Sequence, residues 1–197
     1  MSTSAITPNK SAVEAWPPPQ GSWTYDDYAL LPDNGMRYEV IRGDLQMLPM
    51  PLVRHQVILG ELYFQIANFL CQKPLGEVFL SPLDVLLKEK TNVQPDLCFI
   101  RQERLGIVET SYINGSPDLV IEILSPSREG YDRRVKFQVY AQAGIHEYWI
   151  VDPVANSVEI NLLRGEAYAP VVFSGKETIR SEVLPELALI AGEVFPA

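Results

Sequence analysis

The sequence contains few of the residues that form disulfide bonds or zinc sites. Its 197 residues include two cysteines and two histidines. Cys71 and Cys98 imply neither a disulfide framework nor a zinc site. Both lie in apolar segments, so we interpret them as small core residues of a protein from a reducing compartment.

Positive charge is also scarce. The chain has 16 Lys and Arg against 25 Asp and Glu, which gives a formal net charge of -9. A broad basic surface binds nucleic acid by neutralising many phosphates, and this balance argues against such a surface. Any contact with phosphate must therefore be local.

Long apolar runs are missing as well. No run of about 18 apolar residues predicts a membrane span, and the first residues contain no apolar signal-peptide core. We therefore expect a cytoplasmic protein without a membrane partner.

Residues 1–21 are rich in Ser, Thr, Ala and Pro, which predicts a flexible leader. The 197-residue chain is 47% hydrophobic, which suffices for one domain with one core, and we expect this domain over residues 22–197.

Hydrophobic periodicity in the remaining chain predicts an α/β domain. The predicted helices are a short one capped by Thr24, a long one over residues 55–71 and one over residues 132–144 capped by Asp132. The predicted strands are a hairpin over residues 36–48 and runs over residues 77–88, 94–100, 117–125 and 147–152, followed by "SVEINLL" and "EAYAPVVF". This order predicts a sandwich with a mixed central sheet.

Two acidic residues lie among apolar neighbours in strands expected to share that sheet. Asp96 opens "DLCFI" and Glu122 lies within "LVIEIL". A buried carboxylate must pair with a cation, coordinate a metal, or stay neutral through a raised pKa. Two nearby carboxylates suit a divalent ion with oxygen ligands, and we expect Mg²⁺ or Mn²⁺.

Lys136 completes this candidate site. It lies in the helix after the Glu122 strand, from which its amine can reach back over the strand ends. A metal-activated water could then attack a phosphodiester while Lys136 steadies the developing negative charge. Three structural alternatives remain open: an Arg or Lys partner for Glu122, a turn cap for Asp96, and a solvated Lys136.

Several blocks of the sequence resemble a known family. They are "YEVIRGDLQML", "RHQVILGEL", "SPLDVLL", "QPDLCFI", "PDLVIEILSPS", "DRRVKFQVYAQAGIHEYWIVDP" and "LPELAL". Together they resemble the Uma-type endonucleases, a domain-of-unknown-function group in the PD-(D/E)XK, or restriction-endonuclease-like, superfamily. The resemblance covers residues 23–195. It implies a mixed central β-sheet flanked by helices, with additional β-hairpins and a metal site at one edge.

The resemblance also assigns site residues. The superfamily's strand aspartate falls on Asp96, and the acidic residue of its (D/E)XK element falls on Glu122. Leu124 occupies the lysine position of that element. In some families this lysine is thought to have migrated to the next helix, which makes Lys136 the candidate. The resemblance thus implies a Mg²⁺-dependent (or Mn²⁺-dependent) endonuclease that hydrolyses DNA.

Three further residues are weaker candidates. Glu39 matches an accessory acid of some superfamily members, although a surface salt bridge is an equal alternative. His55 matches a histidine block of the family and lies where a helix N-terminus could contact phosphate, although a packed or capping histidine is commoner. Asp84 repeats the pattern of an acid in an apolar strand and could be a metal ligand or lie beside one.

A polar cluster follows Glu122. Serines and arginines gather there and form the best local candidate for a phosphate contact, with an exposed, solvated loop as the alternative. The cluster comprises Ser125, Ser127, Arg128, Arg133 and Arg134.

Three functions follow from these observations. The first is a Mg²⁺-dependent endodeoxyribonuclease acting as a homodimer, as many superfamily members do. The second is a catalytically silent binding or regulatory module, which the net acidity and Leu124 favour. The third is a purely structural domain with buried ion pairs.

Overall fold

The structure, a computed structural model, describes residues 16–126 and 128–195. The helical elements are α1 (Tyr25–Ala29), α2 (Val53–Gln72), a 3₁₀ helix (Gln102–Ile107), α3 (Glu129–Tyr131), a π-helical turn (Asp132–Lys136), α4 (Phe137–Gln142) and a second 3₁₀ helix (Ala191–Val194). The strands are β1 (Arg37–Ile41), β2 (Asp44–Leu48), β3 (Gly76–Leu80), β4 (Asp84–Lys88), β5 (Thr91–Val93), β6 (Leu97–Arg101), β7 (Tyr112–Asn114), β8 (Leu119–Ile123), β9 (Glu147–Asp152), β10 (Ser157–Arg164) and β11 (Ala167–Ser174).

The strands form two mixed sheets. One has the order β2-β1-β5-β4-β7 and the other the order β11-β10-β9-β8-β6-β3. Each sheet contains one parallel pair, β4 with β7 and β8 with β9, among antiparallel pairs. The mixed α/β class expected from the sequence is confirmed, although two sheets share the strands that we had assigned to one.

The six-stranded sheet is covered on both faces at β8, where all five residues are buried and all except Glu122 are apolar. Ile121 and Ile123 pack with α2 in one core cluster. Val120 and Leu124 pack with α4 and the five-stranded sheet in the other cluster. Since side chains alternate between the faces of a strand, Glu122 faces the second cluster. This alternation directs one acidic residue into the layer between the two sheets.

The predicted N-terminal helix and hairpin are both present. Thr24 forms a capping box with Asp27 at the start of α1. The turn between β1 and β2 places Gly43 at φ +84°, and a Cβ atom there would lie 2.4 Å from the carbonyl oxygen of Gly21. Both the positive φ and this close backbone contact explain the glycine.

The prediction of one strand over residues 77–88 is wrong. β3 ends at Leu80 and joins the six-stranded sheet, whereas β4 begins at Asp84 and joins the five-stranded sheet. Pro82 lies in the intervening bend and has no backbone N–H to donate to a ladder. The short β5 was not predicted, because three residues carry too little periodicity.

The predicted start of the third helix is also wrong. The helical segment begins at Glu129, so Asp132 is not an N-terminal cap but lies within the π-helical turn. In this turn the Phe137 N–H donates to the carbonyl oxygen of Asp132, five residues earlier. The wider turn leaves Asp132 and Lys136 buried. Gly144, at φ +75°, follows the segment's end as expected.

Of the predicted leader, residues 1–15 lie outside the described residues. Further along, the Gln20 side chain exchanges two hydrogen bonds with the backbone of Leu45. The division into a leader and one domain stays a prediction.

Cys98 is buried as expected, whereas Cys71 is exposed. None of the described helices combines the length and the apolar character that crossing a membrane requires.

Candidate active site

A cleft opens where the two sheets meet, beside the segment that leads from β5 into β6. It has an empty volume of about 480 Å³, which includes space open to solvent. Its polar lining comes from β1, the β5–β6 segment, β8, the N-terminal part of α2 and the helical segment after β8. The charged and polar residues lining the cleft are Arg37, His55, Gln94, Asp96, Glu122, Ser125, Arg128, Asp132 and Lys136.

Asp96 lies at the point where the ladder between β6 and β8 ends. The last pair of this ladder is Leu97 with Ile121. Beyond it the Ile123 N–H donates to Asp96 Oδ2 at 2.8 Å. His55 Nε2 lies 3.0 Å from the same oxygen. The carboxylate is thus held on one side by a strand and on the other by the first turn of α2.

Lys136 bridges two buried carboxylates. Its Nζ lies 2.8 Å from Glu122 Oε1 and 2.9 Å from Glu39 Oε1. The Tyr140 hydroxyl donates to the same Glu122 oxygen at 2.6 Å. Lys136 is 3% exposed and Glu39 is fully buried. A solvated Lys136 and a surface salt bridge for Glu39 are therefore both excluded.

The electrostatics reflect more buried carboxylates than cations. Burial raises the pKa of Glu122 to about 8, an effect that Lys136 opposes and that the charge of Asp96 reinforces. The pKa of Lys136 also rises well above its ordinary range, because the charges of Glu122 and Glu39 outweigh the effect of its burial. Both pKa values are raised, so Glu122 and Lys136 each hold a proton more tightly than usual, because the negative charge of the cleft is incompletely balanced.

Two residues could hold a metal ion between them. Asp96 Oδ1 and Glu122 Oε2 accept no hydrogen bond from the described residues, whereas the other oxygen of each carboxylate is engaged. The described part of the chain contains no group of three or more His, Cys, Asp and Glu residues arranged to hold a metal. The donor set is thus two carboxylates. It suits Mg²⁺, which usually keeps several waters and is completed by substrate phosphate.

The structure brings most of the candidate residues together. Asp96, Glu122 and Lys136 line one cleft, which His55 also lines. Glu39 joins them through its contact with Lys136. Within the described part of the chain neither proposed metal ligand is paired with an arginine, but Glu122 is paired with Lys136, so the alternative of a lysine partner for Glu122 is realised. A turn-capping role for Asp96 is replaced by its bond to β8.

Asp84 lies outside this cleft. Its Oδ1 accepts hydrogen bonds from the Tyr28 hydroxyl and from the side-chain amides of Asn92 and Gln94, each at 3.0 Å. Its neighbours thus satisfy it with neutral donors. Gln94 alone of these connects it to the site, through the cleft wall.

Some residues of the polar cluster predicted to contact phosphate line the cleft, and others lie elsewhere. Arg128 lines the cleft, as does Ser125. Arg133 turns away and pairs with Glu129, Asp152 and Glu159. The Arg134 guanidinium donates to the carbonyl oxygen of Gly130. Ser127 lies outside the described residues.

Four residues that line the cleft or support its acids were not assigned to it from the sequence. Asp132 was interpreted as a helix cap and Tyr140 as a packing residue, and Gln94 and Arg37 received no role. A signal for two of them existed, because Asp132, Lys136 and Tyr140 recur at four-residue intervals. Such spacing places side chains on one face of a helix.

Comparisons with known proteins show the fold and the family of this chain. A solved structure described as a putative nuclease belonging to DUF820, from Anabaena variabilis ATCC 29413, has a TM-score of 0.74 to this chain. The match covers 88% of this chain and 97% of the other at 23% sequence identity, so it shows a shared fold. No curated protein matches the chain. A family model described as "Uma2: Putative restriction endonuclease" matches residues 25–192. The chain belongs to this Uma2 family, as the sequence blocks had indicated.

Proposed function

We propose that the protein is a Mg²⁺-dependent (or Mn²⁺-dependent) endonuclease that hydrolyses phosphodiester bonds in DNA. In this proposal Asp96 and Glu122 hold the metal and Lys136 assists. One observation carries the proposal: Asp96, which directly precedes β6, and Glu122 of the neighbouring β8 line one cleft beside a buried lysine, and one oxygen of each carboxylate accepts no hydrogen bond from the described residues. The family description, which names restriction endonucleases, supports the same reaction class.

The cleft's surplus of negative charge supports a divalent cation. Glu39, Asp96, Glu122 and Asp132 are all at most 8% exposed. Lys136, Arg128 and Arg37 are the Lys and Arg residues of the described cleft lining, so the four carboxylates outnumber these three cations. When bound, Mg²⁺ supplies positive charge to phosphate oxygens and lowers the pKa of a coordinated water.

Lys136 retains one donor for the substrate. An ammonium group has three N–H bonds, and Glu122 and Glu39 account for two of them. The third can donate to a phosphate oxygen, whose negative charge grows as the reaction proceeds. Glu39 and Tyr140 act through their neighbours: Glu39 holds Lys136, and Tyr140 holds Glu122.

Arg128 and Arg37 are the arginines of the described cleft lining. Arg128 lies over the ring of Tyr131 at 4.1 Å, and its Nη1 donates to the carbonyl oxygen of Met47. Arg37 donates through Nε to the Gln94 side chain at 3.0 Å. Both guanidinium groups keep further N–H donors for a phosphate, so local contacts are available on an acidic protein.

A catalytically silent binding module is the second candidate. The observation that favours it is the full engagement of Glu122 Oε1 by Lys136 and Tyr140, which satisfies the lysine charge without a substrate. A silent module would bind DNA or another partner in the cleft without cleaving it. The two functions differ in turnover, which an assay measures directly.

The test combines metal binding with cleavage. Mg²⁺ binding by calorimetry and nicking of supercoiled plasmid are measured for wild type, Asp96→Asn and Glu122→Gln. We expect wild type to bind the ion and nick the plasmid. Each variant should lose more affinity than the roughly 10–100-fold that removal of an outer-shell partner costs, and should nick at background level.

Asp44→Asn is the matched control, because Asp44 is an exposed acid outside the cleft. It should bind Mg²⁺ and nick plasmid as wild type does. Wild type that binds Mg²⁺ without nicking supports the silent module. Wild type that binds neither Mg²⁺ nor Mn²⁺ refutes the metal site and the nuclease proposal with it.

A further inference from the structure

Asp132 differs from every other buried acid that the structure describes. The described chain buries six carboxylates: Glu39, Asp96, Asp118, Glu122, Asp132 and Glu147. Hydrogen bonds from protein groups reach five of them: Glu39, Asp96, Asp118, Glu122 and Glu147. No described residue donates a hydrogen bond to the Asp132 carboxylate, and it forms no ion pair with the described residues. An unpartnered polar group that is 5% exposed requires an explanation.

The Asp132 carboxylate lines the cleft that contains Asp96 and Glu122. The π-helical turn places it there, at the start of the segment that ends with Lys136. Single π-helical turns within helices occur often at functional sites. The backbone carbonyl of Asp132 is well satisfied, since it accepts from Phe137 N and lies 3.4 Å from the Tyr148 hydroxyl. The fold thus fixes the backbone of Asp132 and leaves its side chain free to act.

We propose that Asp132 is the general base of the phosphodiester hydrolysis and accepts a proton from the water that attacks phosphorus. This inference rests on the proposed nuclease function. The water oxygen forms a bond to phosphorus while the bond from phosphorus to a sugar oxygen breaks. One proton of the water passes to an Asp132 oxygen, and the departing sugar oxygen takes a proton from solvent. The products are a phosphate monoester and an alcohol, with no change in oxidation state.

The surroundings of Asp132 favour this role over that of a metal ligand. The described residues contain no preformed group of three acids or histidines arranged to hold an ion. Burial raises the pKa of Asp132 to about 6, and Lys136 and Arg128 oppose this rise. A base is most effective when its pKa lies near the working pH. The charged groups that face it are Arg128, Lys136, Glu39, Asp96 and Glu122.

Removing the Asp132 charge separates a catalytic role from a structural one. Asp132→Asn keeps the size of the side chain and removes the cost of burying its charge, which together with the repulsion from Glu39 and Asp96 outweighs the attraction of Lys136 and Arg128. We therefore expect this variant to unfold, in EDTA, at the same temperature as wild type or higher. A structural role would give the opposite result.

The experiment measures three quantities for wild type, Asp132→Asn and the control Glu129→Gln. Glu129 lies three residues earlier in the same segment and is an exposed acid outside the cleft lining. The quantities are the plasmid-cleavage rate from pH 5 to 9 at saturating Mg²⁺, Mg²⁺ affinity by calorimetry, and thermal unfolding in EDTA. We expect Asp132→Asn to cleave about 10²–10⁴-fold more slowly with unchanged Mg²⁺ affinity. The fall in wild-type rate toward acidic pH should be absent from it, and Glu129→Gln should match wild type.

Each alternative result overturns the inference in its own way. Cleavage by Asp132→Asn at the wild-type rate, or with the wild-type fall in rate toward acidic pH, excludes a general base. Loss of Mg²⁺ binding identifies Asp132 as a ligand instead. If Asp132→Asn does not fold, Asp132→Ser takes its place, and failure of both shows a structural role. Wild type that never cleaves overturns the proposed function itself, which distinguishes that failure from a failure of Asp132 alone.

Discussion

Replacing Lys136 with methionine should destabilise the protein strongly. Methionine preserves the length of the side chain but removes the cation that bridges Glu122 and Glu39 at 2.8 and 2.9 Å. Both carboxylates are buried, so each loses a charge-assisted hydrogen bond that water cannot replace. Removing one partner of a buried ion pair costs about 3–5 kcal/mol. In a domain of this size each kcal/mol corresponds to about 2–4 °C, so the unfolding midpoint should fall by about 10 °C.

The destabilisation should also depend on pH. Burial already raises the pKa of Glu122 to about 8, and loss of Lys136, which lowers it, must raise it further. A carboxyl group whose pKa is higher in the folded than in the unfolded protein stabilises the fold below its unfolded pKa and loses that contribution as pH rises. The deficit of Lys136→Met relative to wild type should therefore be larger at pH 8 than at pH 5.

Thermal unfolding in EDTA at both pH values, followed by circular dichroism, measures this deficit. Lys176→Met is a matched control, since Lys176 is exposed and lies outside the cleft. It should unfold within about 1–2 °C of wild type, because surface substitutions change stability by about 0.5 kcal/mol or less. If Lys136→Met also unfolds within that margin at pH 8, the bridging ion pair does not stabilise the fold and the reasoning fails.

Two further predictions concern the carboxylates of the proposed metal site. In EDTA, the free energy of unfolding of Glu122→Gln relative to that of wild type should increase by up to a few kcal/mol as pH rises from about 5 to 8. Over this range wild type loses the stability that the Glu122 proton contributes. Parallel stability curves for the two proteins would contradict this prediction. His55→Ala should weaken Mg²⁺ binding about 10–100-fold in calorimetry, because Asp96 Oδ2 then keeps only the Ile123 N–H as a donor. Unchanged affinity would show that His55 does not position Asp96.

The elements of the fold could largely be predicted because their burial is periodic. In α2 the buried side chains include Ile58, Leu62, Ile66 and Leu70, which recur every four residues as one helical face. The division of the strands between two sheets could not be predicted. β3 and β4 are both apolar, and only tertiary contacts decide that β4 pairs with β5 while β3 pairs with β6.

The candidate site could be predicted in part, for an energetic reason. A lone acid in an apolar strand is costly, so Asp96 and Glu122 are conspicuous in the sequence. Asp84 has the same local signature, yet Tyr28 and Asn92 satisfy it from elsewhere in the fold. The local sequence contains no information about which distant donors reach an acid, so the signature alone cannot separate the two outcomes.

Asp132 was misinterpreted because two structural roles share one sequence pattern. An aspartate shortly before an apolar helical stripe is typical of an N-terminal cap. Here the helical segment starts three residues earlier, at Glu129, and the π-helical turn rotates Asp132 into the cleft. A π-helical turn depends on how the segment packs against β8 and β9, and Tyr148 of β9 contacts the Asp132 carbonyl. Helical periodicity calculated for an ordinary α-helix does not reveal it.

The acidity of the whole chain has a consequence for how the proposed enzyme meets DNA. The cleft carries a surplus of buried carboxylates in a protein of net charge -9, and this negative charge opposes phosphate binding by Arg37 and Arg128 when no divalent ion is bound. On the proposed function, an ion at Asp96 and Glu122 reverses the sign of the local charge where the phosphate must lie. Metal and DNA should therefore strengthen each other's binding, since linkage makes such coupling reciprocal. A basic nuclease binds DNA without its metal, whereas binding to this cleft should depend on the ion that also enables hydrolysis.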